Sequence, residues 1–210
     1  MTAISIIGTC GMAAAIGGLA ARAGHTIEVV ARDPAKGQVL AGQIGTGATT
    51  GPIGAAPVGD LVIVAVPYPA VLDVVKGYGE GLSRKILVDI TNPIKSDFRG
   101  FLTPEDSFGA REIAKVVPAD AHVVKAFNTQ NSDVLVAGSV EGRRLDYSSP
   151  ATTRRRGRVS AFIDSLGLRP MDAGPLTMAW TLEHACMLVL GLLTHSVKHP
   201  NFAIGINILG

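Results

Sequence analysis

The tightest constraint on this chain is a glycine turn near its start, Gly8-Thr9-Cys10-Gly11-Met12-Ala13. An apolar run, Ala3-Ile4-Ser5-Ile6-Ile7, precedes it, and small residues from Ala13 to Arg22 follow. Strand, tight turn and helix, in that order, open a dinucleotide-binding unit. Gly8 lets the chain turn at the strand end, and the helix presents free N–H groups and its positive dipole end to a pyrophosphate. The fingerprint G-x-G-x-x-G/A would put a second glycine at position 10, where this chain has Cys10, so a side chain crowds the pyrophosphate there. Ala13 meets the third position, which needs only close helix–strand packing. The same pattern also suits a strand–turn–helix that holds no ligand.

The second strand, Thr26 to Ala31, narrows the reading. An NAD site places a carboxylate about 20 residues past the glycines, on the ribose 2′-OH. Here that place holds Ala31 and then Arg32, with Asp33 as helix cap, Pro34 at the first helical position and Lys36 one turn in. A guanidinium pairs with a 2′-phosphate through charge-assisted bonds, Lys36 adds a second charge, and Thr9 can donate its hydroxyl. This favours NADP over NAD. Arg32 and Lys36 would also suit a solvated surface.

Further along, Asp60 to Pro67 is a continuous apolar strand whose end, Ala65-Val66-Pro67, faces the nucleotide. Strands are expected at Ile86–Ile90, running into Thr91-Asn92-Pro93, and at His122–Phe127, running into Asn128-Thr129, with helices near 70–78 and 110–116. Alternating strands and helices predict an α/β fold, a doubly wound Rossmann-type parallel sheet over 1–135, followed by a small, mostly helical C-terminal domain over 136–210. Asn92, Asn128 and Thr129 either contact the nicotinamide ribose and carboxamide or cap and turn the chain. The C-terminal part shows a short strand and turn over Leu168–Leu176 and a long apolar helix over about 176–196, where His184 and Cys186 read as packing residues.

Composition excludes several classes. With 47% hydrophobic and 17% charged residues the chain is globular, and its net charge of +2 argues neither for nor against nucleic acid, so local charge must decide. Cys10 and Cys186 lie far apart, giving neither a disulfide framework nor a zinc site, so a cytoplasmic protein is expected. The run Ala185–Leu193 is too short to span a bilayer, so no membrane is expected.

Taken together the runs resemble the NADPH-dependent coenzyme F420 reductases (F420H2:NADP oxidoreductases). The matching segments are Ile7-Gly8-Thr9, Ala31-Arg32-Asp33, Ala65-Val66-Pro67, Val88–Pro93, Val124–Thr129, Asp172–Leu176 and Leu182-Glu183. The resemblance implies a Rossmann domain, a C-terminal domain partly shielding the cleft, NADP as cofactor, coenzyme F420 as co-substrate and a homodimer. It implies that Thr9, Arg32 and Lys36 read the 2′-phosphate, with Ala31 replacing the family's serine. The reaction implied is hydride transfer, which needs no obligatory protein acid or base. Two other readings stay open: an NADPH-dependent flavin or ferric reductase on the same scaffold, and a non-catalytic NADP-binding module.

The tract Tyr147–Gly157 departs from the family, which has an apolar strand ending in Ala-Gly-Asp-Asp; here it is polar and carries Arg154, Arg155 and Arg156. Lacking interleaved aromatics, it makes no case for nucleic acid. GC-rich codons for it, read one frame on, encode Leu-Leu-Ala-Gly-Asp-Asp, which suggests a local frame shift. Peptide masses decide. The sequence as written requires a tryptic peptide Leu145–Arg154, whereas a frame shift replaces it with one containing Leu-Leu-Ala-Gly-Asp-Asp.

Overall fold

In the computed structural model, residues 1–207 are described except 46, 141 and 152–155. Six parallel strands form one sheet in the order β3-β2-β1-β4-β5-β6. They are β1 (Ala3–Ile7), β2 (Thr26–Val30), β3 (Thr49–Gly51), β4 (Leu61–Val64), β5 (Ile86–Asp89) and β6 (His122–Lys125). The strand order reverses between β1 and β4, the switch point at which such sheets bind ligands. The sheet is apolar on both faces because successive side chains point to opposite sides. Ile4, Ile6, Leu61, Ile63, Ile86 and Val88 pack into one buried cluster. Ile7, Val62, Val64 and Leu87 pack into the other.

Helices α1 (Gly11–Arg22) and α2 (Pro34–Ile44) cover the first face. α3 (Tyr68–Tyr78) and α4 (Gly109–Ala114) cover the second. Local chemistry sets their starts. Asp33 caps α2 by accepting from the Ala35 N–H at 3.0 Å. Asn131 caps α5 (Ser132–Ala137), a helix the sequence patterns did not reveal, by accepting from the Val134 N–H at 2.9 Å.

A short antiparallel ladder follows, β7 (Ser139–Val140) with β8 (Arg143–Arg144). Then β9 (Asp146–Ser148) pairs in parallel with β10 (Arg169–Met171), and between them α6 (Arg156–Ser165) seats Val159, Phe162 and Ile163 in the first core cluster. The divergent tract is therefore not wholly irregular: β9 is a strand, and Ala151 bridges Val124 at the β6 edge. Its polar side chains fit poorly. Tyr147 and Ser149 are buried, and the hydroxyl of each has no hydrogen-bond partner among the described residues. An unpartnered buried hydroxyl costs about 1–3 kcal/mol. Two of the arginines in question, 154 and 155, lie outside the described residues.

The C-terminal part runs through a 3-10 turn (Leu176–Met178), α7 (Ala179–Leu192) and a π-turn (Leu193–Val197). The apolar helical run is thus longer than Ala185–Leu193: the 22 residues Leu176–Val197 are by length and composition enough to cross a membrane, and 11% of the apolar window is buried. Trp180, Leu188 and Val197 are exposed on it.

After α7 the chain doubles back as an extended strap, 198–207. Asp146 ties it down: its carboxylate pairs with Arg169 and accepts from the Ile206 N–H at 2.6 Å, while Arg169 donates to the Ile206 carbonyl. The Arg169 hydrogen bond, aided by Ile206 and opposed by burial, holds the Asp146 carboxyl below its ordinary range. A lowered carboxyl contributes stability that is complete above the unfolded value and is lost as pH falls through the folded one. The strap is expected to loosen in acid. Protection of the Ile206 amide from hydrogen exchange should fall there in the wild type, and should be low throughout in Asp146→Asn.

Candidate functional site

The carboxyl ends of the strands open onto two cavities. The first, about 440 Å³, lies at the switch point and on its β2 side. Gly8, Thr9 and Cys10 form its floor, Arg32 and Lys36 stand at one end, and Ala65, Val66 and Pro67 line the β4 side. Ile53, Ala70 and Val74 complete an apolar wall that the sequence did not announce.

Gly8 is required by the structure. It has φ +122°, and a Cβ there would lie 2.1 Å from the Ala65 carbonyl oxygen. Its N–H donates to Val30 O and the neighbouring Ile7 O accepts from the Ala65 N–H, so the turn is tied to the ends of β2 and β4 on either side. Cys10 needs no such freedom. It is the N-cap of α1 with extended φ −78° and ψ 171°, and its Sγ leans across the turn to within 3.5 Å of Ala65 O. The leading N–H groups of α1 lack intrahelical acceptors, as at any helix start. Arg32 and Lys36 are exposed, their charges open to the cavity.

A backbone turn closed to side chains, a helix head and two cations fit a phosphorylated dinucleotide. Of the remaining motif residues, Ala13 is fully buried, Met12 packs against the core and Gly11 faces Ser132 of α5. These support the turn and do not line the cavity. Pro93 lies over Gly109.

The second cavity, about 220 Å³, lies at the ends of β5 and β6. Asn92, Asn128, Thr129, Gln130 and Asn131 form a polar side; Cys186, Val189 and Leu190 of α7, Leu193 of the π-turn, and Pro200 and Phe202 of the strap form an apolar one. The two asparagines bond each other. Asn92 Nδ2 donates to the Asn128 carbonyl at 2.8 Å, and Asn128 Nδ2 donates to Asn92 Oδ1 and to the Leu182 carbonyl, both at 3.0 Å. Most of their amide capacity is spent on tying β5, β6 and α7 together. Burial pushes the Cys186 thiol up to about 11, with Lys125 opposing and Glu183 adding, so it stays protonated.

Beneath this cavity lies a cluster absent from the sequence-based set. Lys125, fully buried, donates to Asp89 Oδ2 at 2.8 Å and to the Thr91 carbonyl at 2.6 Å, and its Nζ lies 2.9 Å from Glu183 Oε1. Burial opposes its charge, but Asp89 and Glu183 together raise its pKa above the ordinary lysine value. Glu183 also accepts from the Gly109 and Ala110 N–H groups at 2.9 and 3.2 Å. The signal was present: a lysine inside His122-Val123-Val124-Lys125-Ala126-Phe127 and an aspartate ending Ile86-Leu87-Val88-Asp89 require counter-charges once both strands are central.

The fold and first cavity define a dinucleotide-binding architecture, and the family comparison narrows it. Residues 3–93 match the family described as "NADP oxidoreductase coenzyme F420-dependent", the one the sequence runs suggested. Among solved structures, a protein provisionally described as an F420-dependent NADP-reductase from Arthrobacter sp. FB24 superposes with TM-score 0.86 at 23% identity, over 99% of this chain and 100% of that one. A hypothetical protein, SMa0349, from Sinorhizobium meliloti gives 0.74 at 24%, over 99% and 97%. The imine reductase from Myxococcus stipitatus in complex with NADP+ gives 0.69 at 19%, over 93% of this chain and 64% of that one. These likenesses are of fold; the cofactor class rests on the family, and it makes this chain an NADP-dependent oxidoreductase.

Replacing Gly8 with alanine should push the turn away from Ala65 and weaken NADPH binding strongly, with a loss of stability as well. Calorimetric titration and thermal unfolding of Gly8→Ala measure both.

Proposed function

We propose that the protein transfers a hydride between NADP(H) and the deazaflavin coenzyme F420. NADP(H), when bound, supplies or takes the hydride; the chain positions it. The Gly8 turn admits the pyrophosphate, the α1 head and its dipole hold it, and Arg32 with Lys36 bind the 2′-phosphate. The ring end reaches the β4–β6 half of the sheet.

One observation carries the choice of acceptor. Apart from the protonated Cys186 thiol, the described residues lining the second cavity offer amides, a hydroxyl and apolar groups, and among them no carboxyl, imidazole, amine or phenol. Reducing an imine or a carbonyl leaves a charge on one nitrogen or oxygen that a placed acid must protonate. A fused conjugated ring spreads that charge and needs no such acid. The α7 and strap residues around it keep water from the transfer.

We further read the protein as a cytoplasmic homodimer with no nucleic-acid or membrane partner. The exposed apolar side of α7, with Trp180 and Leu188, supports a face for the second copy.

The test mixes purified protein with NADPH and oxidised F420 and follows deazaflavin absorbance, with NADH and flavin as controls. Turnover with NADPH and little with NADH is expected. Arg32→Ala should raise the NADPH KM roughly ten- to a hundredfold, the worth of one charge-assisted hydrogen bond, and leave NADH unchanged. Turnover of flavin but not of F420 would overturn the acceptor.

A further inference from the structure

The Lys125 cluster is larger in charge than pairing requires. One ammonium faces two carboxylates, and all three side chains are 0–1% exposed. Both carboxylates are surrounded by donors. Asp89 Oδ1 accepts from the Thr91 N–H at 2.9 Å and its hydroxyl at 2.7 Å, and Oδ2 accepts from Lys125. Glu183 meets Lys125 and two backbone N–H groups. Among the described residues, each hydrogen bond to these two carboxylates comes from an N–H or O–H donor. The cluster therefore carries a net charge of −1, which the Gly109 and Ala110 N–H dipoles disperse but do not cancel.

Its position gives that charge a use. Lys125 and Asp89 end β6 and β5, and Lys125 holds the carbonyl of Thr91, the residue before Asn92. Glu183 follows Leu182, whose carbonyl holds Asn128. The charge thus sits directly behind the second cavity, with solvent screening excluded by burial. None of the three residues lines that cavity.

We propose that this buried charge biases the site toward the oxidised cofactor, with Asp89 and Glu183 acting as positioning residues that stabilise NADP+ over NADPH. The inference rests on the NADP reading above. In hydride donation the C4–H bond of NADPH breaks, both electrons pass with the hydrogen to a carbon of the acceptor, and the nicotinamide ring acquires a positive charge. A fixed negative charge behind the ring lowers the energy of that product and so favours donation to the acceptor. The adenosine end, common to both forms, is unaffected.

The experiment compares dissociation constants of NADP+, NADPH and 2′,5′-ADP, which lacks the nicotinamide, by calorimetry. In Glu183→Gln, NADP+ affinity should fall about tenfold relative to NADPH, the effect of one unit charge across a protein interior, while 2′,5′-ADP binding stays as in the wild type. A purely structural role would weaken both dinucleotides alike. Glu183→Gln removes one partner of a buried network and could fail to fold, so Thr129→Asp supplies the opposite change at a partly buried position in the cavity lining. It should move the ratio toward NADP+. An unmoved ratio in Thr129→Asp, or in a folded Glu183→Gln, overturns the proposal. Failure of the wild type to bind any of the three ligands overturns the NADP reading, and this inference with it.

Discussion

An ammonium group buried without water must be surrounded by acceptors, and Lys125 draws three parts of the chain to itself. Asp89 and the Thr91 carbonyl come from the end of β5, Glu183 from α7, and through Glu183 the N–H groups that open α4. Each is within hydrogen-bonding distance, so none can shift without leaving a charge unpaired in the interior, a loss of about 3–5 kcal/mol for such pairs. This fixes where the C-terminal helix sits on the sheet. The second cavity is the space left between them, its polar side carried by strand ends and its apolar side by the anchored helix. Gly109 fits the same constraint: a Cβ there would come within 3.0 Å of the Glu183 carboxylate.

The adenosine half was legible in the sequence because its determinants are local. A glycine at a strand end, a helix opening after it and a cation at the end of the next strand are separated by fixed spacings that sequence order preserves. The structure brings Gly8, Thr9, Cys10, Arg32, Lys36 and Ala65 to Pro67 to one cavity. The ring half was not legible in the same way. Asn92 and Asn128 were visible as strand-end residues, but their bonds to each other and to Leu182 span 36 and 54 residues. The α7 wall is held by the Lys125–Glu183 ion pair and the strap by hydrogen bonds of Ile206 to Asp146 and Arg169, again between partners far apart in sequence. Ile53 illustrates a different gap: it comes from a loop rich in glycine and proline, where no periodicity marks an inward side chain.

The tract around β9 shows how a sequence irregularity looks in three dimensions. The site it occupies is a buried edge beside β6, which calls for apolar side chains. Tyr147 meets part of that need by packing its ring against Phe127 at 5.2 Å between centroids. Its hydroxyl and that of Ser149 remain without partners among the described residues. Neighbouring elements hold the tract by backbone bonds instead, Ser149 N–H to Met171 O and Pro150 O to Lys125 N–H. The main chain thus keeps its place although the side chains do not suit it.

The two ends of the site meet the solvent differently, and this has a consequence for ionic strength. Arg32 and Lys36 are exposed, within the reach of mobile ions, and at physiological salt charges more than about 8 Å apart are largely screened. The Lys125 cluster is sealed from those ions by the sheet and α7. Added salt therefore weakens attraction at the phosphate end while the field behind the second cavity persists. Overall affinity and discrimination between charge states become separable quantities, one set by the medium and the other by the fold.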